Sequence, residues 1–513
     1  MFEPTDTPFP FWGSATTTKG GRDPLAVQNS SIVIYSNMVT GITNVTARVR
    51  YNGFFCWLLT LIAQRLQLAD RTKVDDLSEQ IRLVRRGELL LAYVMACHYP
   101  DVTGVSGSTY ALNNITSDDL DLAKGADYEN KGKNKIYWQN QYGIFGQYYI
   151  GVLTQLRLIF QPDAKHRTYR VTPEGFQLYE SYQSCLTEQT EDLFWNAIYS
   201  GNITKEQLNE LRSLAIHVVG SQAELEDYQR IFCTPDRIDT GEGGVCHRIN
   251  SLKLMMRYID GDGSSTERRD MVLSFLQYNF LHTLEKQLKV SSEELSWFLY
   301  ELNELSHAAY EAFHFVILYK ITSEPQPLEY VLEAIQQEFD KYKPNYSDTD
   351  DIYELYHRIL DGHKTNDCGA LVCNASYMLH KLNGIISVWT EQLCEFSLCE
   401  GYDITHPGYA PLLLPKLDKG EEMAGTWDHV ENCIFFAIND HLKSSYSKST
   451  IGQGLVHNYL VEDGLIWELR RPVPIRTSPR LQNALQYMED MKWIGPEGNC
   501  YRVTERGFNI LGQ

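Results

Sequence analysis

The chain has 513 residues, 43% of them hydrophobic and 12% aromatic, and a formal charge of −20 at pH 7. This is enough apolar material for roughly two to four domains with buried cores, which excludes a globally disordered chain. The charge excludes a uniform nucleic-acid-binding coat, because phosphate binding needs local positive potential.

The acidity is uneven. Residues 1–185 hold 18 basic and 17 acidic side chains and residues 406–513 hold 11 and 13, so 186–405 carries −19 of the total. The longest apolar run, Phe54–Ala63, is far short of the roughly 20 residues of a membrane-spanning helix. No charged start followed by an apolar stretch marks a secretory signal. The 11 cysteines are scattered and odd in number, which suits reduced, mostly buried thiols. A cytoplasmic chain without membrane contact is expected.

Residues 1–30 read as an extended or disordered arm rich in Pro, Gly, Thr and Asp. Residues 31–185 follow as an N-terminal helical region. A helix is expected from about 42 to 68, capped by Thr43 or Asn44. Near its start Arg48 and Arg50 fall beside Tyr51, Phe54 and Trp57, where guanidinium stacking or an acidic partner would satisfy them. Arg48, Arg50 and Tyr51 are therefore candidate partner-binding residues; the alternative is a core helix with arginines at its edge. A second helix fits 74–97. Residues 101–135 are polar and rich in Gly, Asn and Asp, and read as a partly disordered loop. The region closes with a helix reaching Leu158 and the segment Tyr169-Arg170-Val171-Thr172-Pro173-Glu174-Gly175-Phe176.

Residues 186–405 read as an acidic helical domain. Thr204-x-x-Gln207 and Ser221-x-x-Glu224 spell capping boxes, and 236–245 is a Gly-rich loop. Helices are expected at about 251–258, 269–288, 292–319, 327–342, 350–360 and 371–399. Glu304-x-x-His307 and Glu354-x-x-His357 each place a carboxylate and an imidazole on one helical face, as in di-iron bundles, but those need two further helical Glu ligands. Cys368-x4-Cys373 and Cys394-x4-Cys399 do not have the usual zinc spacing. No nucleotide, hydrolase or deaminase motif is present, so no metal, cofactor or catalytic residue is assigned.

Residues 406–513 begin with a Pro-punctuated linker to about 417. Helices are expected at 427–442 and 451–460, then a turn into a strand near Leu465–Leu469. Ser478-Pro479 suits a helix entry. The chain closes on Tyr501-Arg502-Val503-Thr504-Glu505-Arg506-Gly507-Phe508, identical to the earlier segment at six of eight positions. Helix, apolar turn, wing, strand ending in Thr and a Gly-containing helix start are the parts of a winged-helix-like module. The first copy, 137–180, has four basic and three acidic residues; the second, 469–513, has seven and four. Arg470, Arg471, Arg476 and Arg480 form an acid-free run there. With Lys492, Arg502 and Arg506 they are the candidate nucleic-acid-binding residues, and Arg170 of the first copy joins the partner-binding candidates.

The Gly41–Leu58 wording, taken with the repeat, resembles that of winged-helix-containing bacterial proteins encoded beside antiphage-defence genes. The resemblance implies a non-enzymatic scaffold or sensor subunit that binds an ATPase or nuclease of the same system. The expected fold class is mainly α: a multi-domain helical protein with two winged-helix-like modules carrying small β-wings. DNA contact and homodimer formation are left open. The alternatives are a dimeric winged-helix DNA-binding regulator and a helical-bundle metal enzyme.

Overall fold

In the computed structural model the described residues are 23–25, 27–132, 135–236, 246–286, 290–345, 347, 349, 351–399, 425–449, 456–474 and 476–512. They are mainly helical with a few short strands, as the sequence implies. No described helix is long and apolar enough to cross a membrane. The expected arm, linker and Gly-rich loop fall largely outside these residues.

The chain divides into two compact units that do not follow chain order. The larger comprises Tyr35–Tyr278, Ser291–Glu294 and Ser478–Gln513; the smaller comprises Met1–Ile34, Asn279–Val290 and Leu295–Thr477. Both copies of the repeat therefore belong to the larger unit. The segment expected as one C-terminal module is divided at Thr477.

The larger unit is organised on the Arg50–Ala69 helix, which buries 14 of its residues and packs on the Pro173–Gln183 helix. The expected helix starts later than its capping residues suggest. Thr43 and Thr46 bond each other at 2.9 Å, and the Val49 N–H is taken by Asp490 Oδ2 at 3.2 Å, so the first orphan donor is met by a distant carboxylate. Beside it runs Leu77–His98, capped by Asp76.

Residues 101–135 are not the open loop that their composition suggests. They hold the Ser108–Asn114 and Leu122–Ala126 helices and a strand, Asp119–Asp121, paired with Asn202–Thr204. The cause is three charged residues buried on the Leu77–His98 helix. Arg86 grips Asp127 with two bonds of 2.7 and 2.6 Å. Arg85 donates to the Trp138 carbonyl at 3.1 Å. Glu88 accepts from the backbone of Ile144 and Phe145 at 3.1 and 2.7 Å, and from the Tyr137 hydroxyl. Burial holds the Glu88 carboxyl up at about 7.

The smaller unit packs Leu328–Tyr342 and Ile352–Thr365 against Cys368–Cys399, which also meets Trp427–Lys448. A three-stranded sheet pairs Gln326–Pro327 with Leu465–Glu468, and that strand with Tyr459–Glu462. Of the helix expected at 451–460 the described residues are 456–460, which are irregular up to Asn458 and enter a strand at Tyr459. Asp463 and Gly464 both have positive φ, +50° and +77°, the backbone a two-residue hairpin demands.

A buried histidine pair lies in this unit. Asn458 Nδ2 donates to His314 Nε2 at 2.9 Å, and the Asn458 backbone N–H donates to His441 Nε2 at 3.0 Å. Both rings must be neutral to accept. Burial holds His314 well below its ordinary value and His441 down at about 3. The unfolded chain therefore takes up more protons below about pH 6.5, and stability falls as pH drops toward 3. Between pH 7.5 and 5.0 the wild type should lose roughly 2 kcal/mol more than His441→Gln for this one ring, read by urea denaturation. Equal losses would contradict the buried neutral assignment.

Candidate functional site

The two copies of the repeat are the same structure twice. In the first, Ile150–Gln155 ends at Arg157, whose φ is +59°; in the second, Leu481–Asp490 ends at Lys492, whose φ is +60°. The bonds that follow match. Leu158 N donates to Leu153 O at 2.8 Å and Arg157 N to Thr154 O at 3.0 Å; Trp493 N donates to Met488 O at 2.8 Å and Lys492 N to Glu489 O at 3.0 Å. Each is a Schellman end with a non-glycine left-handed residue. A hairpin follows in equivalent register, Ile159 opposite Val171 and Ile494 opposite Val503.

The shared Thr then does two jobs. Thr172 Oγ1 donates to Arg157 O at 2.6 Å and accepts from Gly175 N at 3.0 Å. Thr504 Oγ1 donates to Lys492 O at 2.6 Å and accepts from Gly507 N at 3.1 Å. The shared Gly is steric. A Cβ at Gly175 would stand 2.1 Å from Leu158 O, and one at Gly507 would stand 2.1 Å from Trp493 O. Tyr169 and Tyr501 are buried. Arg170 and Arg502 each face an acid of their own hairpin at 3.6 Å, Asp163 and Glu497. The shared phenylalanine faces water in both copies, Phe176 41% exposed and Phe508 47%, beside the partly exposed Arg170 and the exposed Arg502.

The Gln222–Cys233 helix touches both copies. It packs on Pro173–Gln183, Phe232 meets Tyr487 edge-on at 5.5 Å, and Gln222 accepts from Arg506 at 3.4 Å.

The candidate nucleic-acid-binding residues are divided between the two units. Arg470, Arg471 and Arg476 belong to the smaller unit, Arg480, Lys492, Arg502 and Arg506 to the larger. Arg476 turns inward onto the buried Glu301. Burial alone would lower its pKa, but Glu301 and the nearby tyrosines outweigh that and hold it well above the ordinary value. Arg471 pairs with Glu468 at 2.7 Å, and Arg470 is partly exposed. Arg480 donates to Ile42 O at 3.1 Å and stacks over Tyr35. Lys492 and Arg502 are exposed.

The N-terminal candidates are internal. Arg48 pairs with Asp490 at 2.8 Å and Arg50 with Glu224 at 3.0 Å. Tyr51 is buried against Phe55 and Tyr149. The core-helix alternative describes this stretch, with Arg50 fully inside rather than at an edge.

The two Glu-x-x-His pairs do not converge. Glu354 and His357 are exposed, and Glu354 is bound to Arg358 and Thr349. Glu304 and His307 are buried, and with Glu311, Tyr356, His363 and Arg476 they line a cleft of about 60 Å³. Among the described residues no three His, Cys, Asp or Glu side chains are placed to hold a metal ion. No protein-family model matches the chain, and neither curated proteins nor solved structures give a match.

Proposed function

We propose that the chain is a non-enzymatic scaffold or sensor subunit of a multi-protein system, of the antiphage-defence kind its sequence resembles. Its two repeat copies, read as winged-helix-like modules, bind a protein partner such as an ATPase or nuclease subunit. The carrying observation is the phenylalanine kept at the same place in both copies and exposed in both. The shared Thr and Gly have internal work to do, the shared Tyr is buried, and the shared Arg faces an acid of its own hairpin at the surface, so packing alone does not account for the phenylalanine. Single exposed apolar residues are ordinary; a large aromatic retained outward at equivalent positions is what an interface anchor requires. The inward placement of Arg476 and Arg480 weakens the nucleic-acid reading. A tagged chain carrying Phe176→Asp and Phe508→Asp should lose its co-purifying partner in the native host while keeping its circular dichroism spectrum. A partner retained at wild-type level would sink the proposal.

A further inference from the structure

We infer that the cleft between the end of the Gln222–Cys233 helix and the starts of the Pro173–Gln183 and His247–Asp260 helices binds the head group of a small α-amino acid, carboxylate and ammonium together. The inference goes beyond the scaffold reading and does not depend on it. Three observations carry it.

First, acidic and basic side chains line this cleft without pairing across it. Arg157, Glu174, Arg230, Asp236 and Arg248 all line it, and all belong to the larger unit. Arg230 is taken up by Asp227 at 2.8 Å. The exposed side chains of Arg157 and Glu174 make no hydrogen bond or ion pair with the described residues. Asp236 is held by Oδ2, which accepts from Arg248 N at 3.1 Å, while its buried Oδ1 has no partner. Buried polar atoms are almost always bonded. A donor is missing at Asp236 and an acceptor at Arg157.

Second, two guanidiniums share the cleft with no carboxylate of the described residues bonded to either. Arg248 is 3% exposed, and its guanidinium donates to the carbonyl oxygens of Thr40, Ile231, Phe232 and Thr234. Burial holds Arg248 below its ordinary value; Asp236 acts against this through space, and Arg157 adds to it. Arginine nevertheless stays charged at pH 7. A buried cation met by dipoles alone gains from a carboxylate in direct contact, and the guanidinium fork is shaped to take one.

Third, size and unmet bonds select the ligand. The cleft of about 70 Å³ holds roughly five heavy atoms, at roughly 10–15 Å³ for each water-sized group. Glycine fits this: two oxygens, two carbons and a nitrogen. A lone anion would leave Asp236 Oδ1 without a donor, and a lone cation would leave Arg157 without an acceptor. The α-amino acid head group brings both, joined through one carbon. Its carboxylate would lie against Arg157 and Arg248, and its ammonium against Asp236 Oδ1 and Glu174. The site is particular to the first copy of the repeat, because Arg506 stands at the place of Glu174 in the second.

The test is calorimetric titration of the full chain with glycine at pH 7 and constant ionic strength. Saturable binding with a dissociation constant in the millimolar range or below is expected for so small a ligand. Acetate and methylammonium each carry half of the head group and should bind about tenfold more weakly or worse. Arg157→Gly removes the guanidinium at a residue whose φ of +59° suits glycine. The fold should be kept, and glycine affinity should fall about tenfold or more. Should that variant lack a cooperative melt, Glu174→Gln is titrated in its place with the same expectation. Three results would overturn the inference: no saturable heat with glycine, acetate or methylammonium binding as tightly as glycine, or unchanged affinity in the folded variant.

Discussion

Arg50→Ala should destabilise the larger unit by about 3–5 kcal/mol, the usual loss when one member of a buried ion pair is removed. Arg50 is 2% exposed and Glu224 fully buried. The guanidinium donates to Glu224 at 3.0 Å and to Ser213 O at 2.9 Å. The carboxylate also accepts from Gly220 N at 2.8 Å and from the Tyr228 hydroxyl at 3.1 Å. Removing Arg50 leaves the buried Glu224 without its guanidinium and two carbonyls, of Ser213 and Ala215, without their donor. The double change Arg50→Met with Glu224→Met should recover only part of the loss, because Gly220 N and the Tyr228 hydroxyl are then orphaned. Urea unfolding of the three chains measures this. A loss below about 1 kcal/mol for Arg50→Ala, the range of exposed pairs, would mean that the pair is not desolvated.

Gly175→Ala and Gly507→Ala should each cost about 3 kcal/mol, at the upper end of overpacking losses. The reason is the 2.1 Å approach of the new Cβ to a backbone carbonyl, which cannot move aside as a side-chain tip would. Gly384 is the internal control. It is exposed in the Cys368–Cys399 helix with nothing within 4 Å of an added Cβ, so Gly384→Ala should stabilise by about 1 kcal/mol. Thermal melts of all three would show whether the two repeat glycines behave as one structural element used twice. A loss at one and none at the other would break the equivalence.

What the sequence made legible was local. The repeat displays a strand ending in Thr and a Gly-containing helix start twice; the Thr cap, the close approach at Gly and the left-handed helix ends that explain it came from the structure, and all are satisfied within about twenty residues. The long helices were also readable, because their apolar faces recur with helical period. What stayed hidden depends on distant partners. Arg50 asks for an acid, but nothing near it marks Glu224, 174 residues away. The arginine run is acid-free along the chain, yet Arg476 is matched by Glu301, 175 residues earlier. Residues 101–135 have a loop's composition because their order is supplied by Arg85, Arg86 and Glu88 from another helix. Interleaved units cannot be read from composition shifts either, since Ser478–Gln513 joins the larger unit only in three dimensions. The polar cleft shows in sequence only as Glu304-x-x-His307; Arg476 and His363 reach it from elsewhere.

We propose that the two copies act through their exposed phenylalanines on a protein, and not through basic residues on nucleic acid. The most direct measurement compares tagged wild type, the Phe176→Asp/Phe508→Asp chain and an Arg502→Glu/Arg506→Glu chain in one quantitative co-purification, with nuclease-treated and untreated lysates. The partner should be lost only from the phenylalanine variant, and nuclease should change nothing. Recovery that disappears with nuclease or with the arginine substitutions, and survives the phenylalanine substitutions, would contradict it.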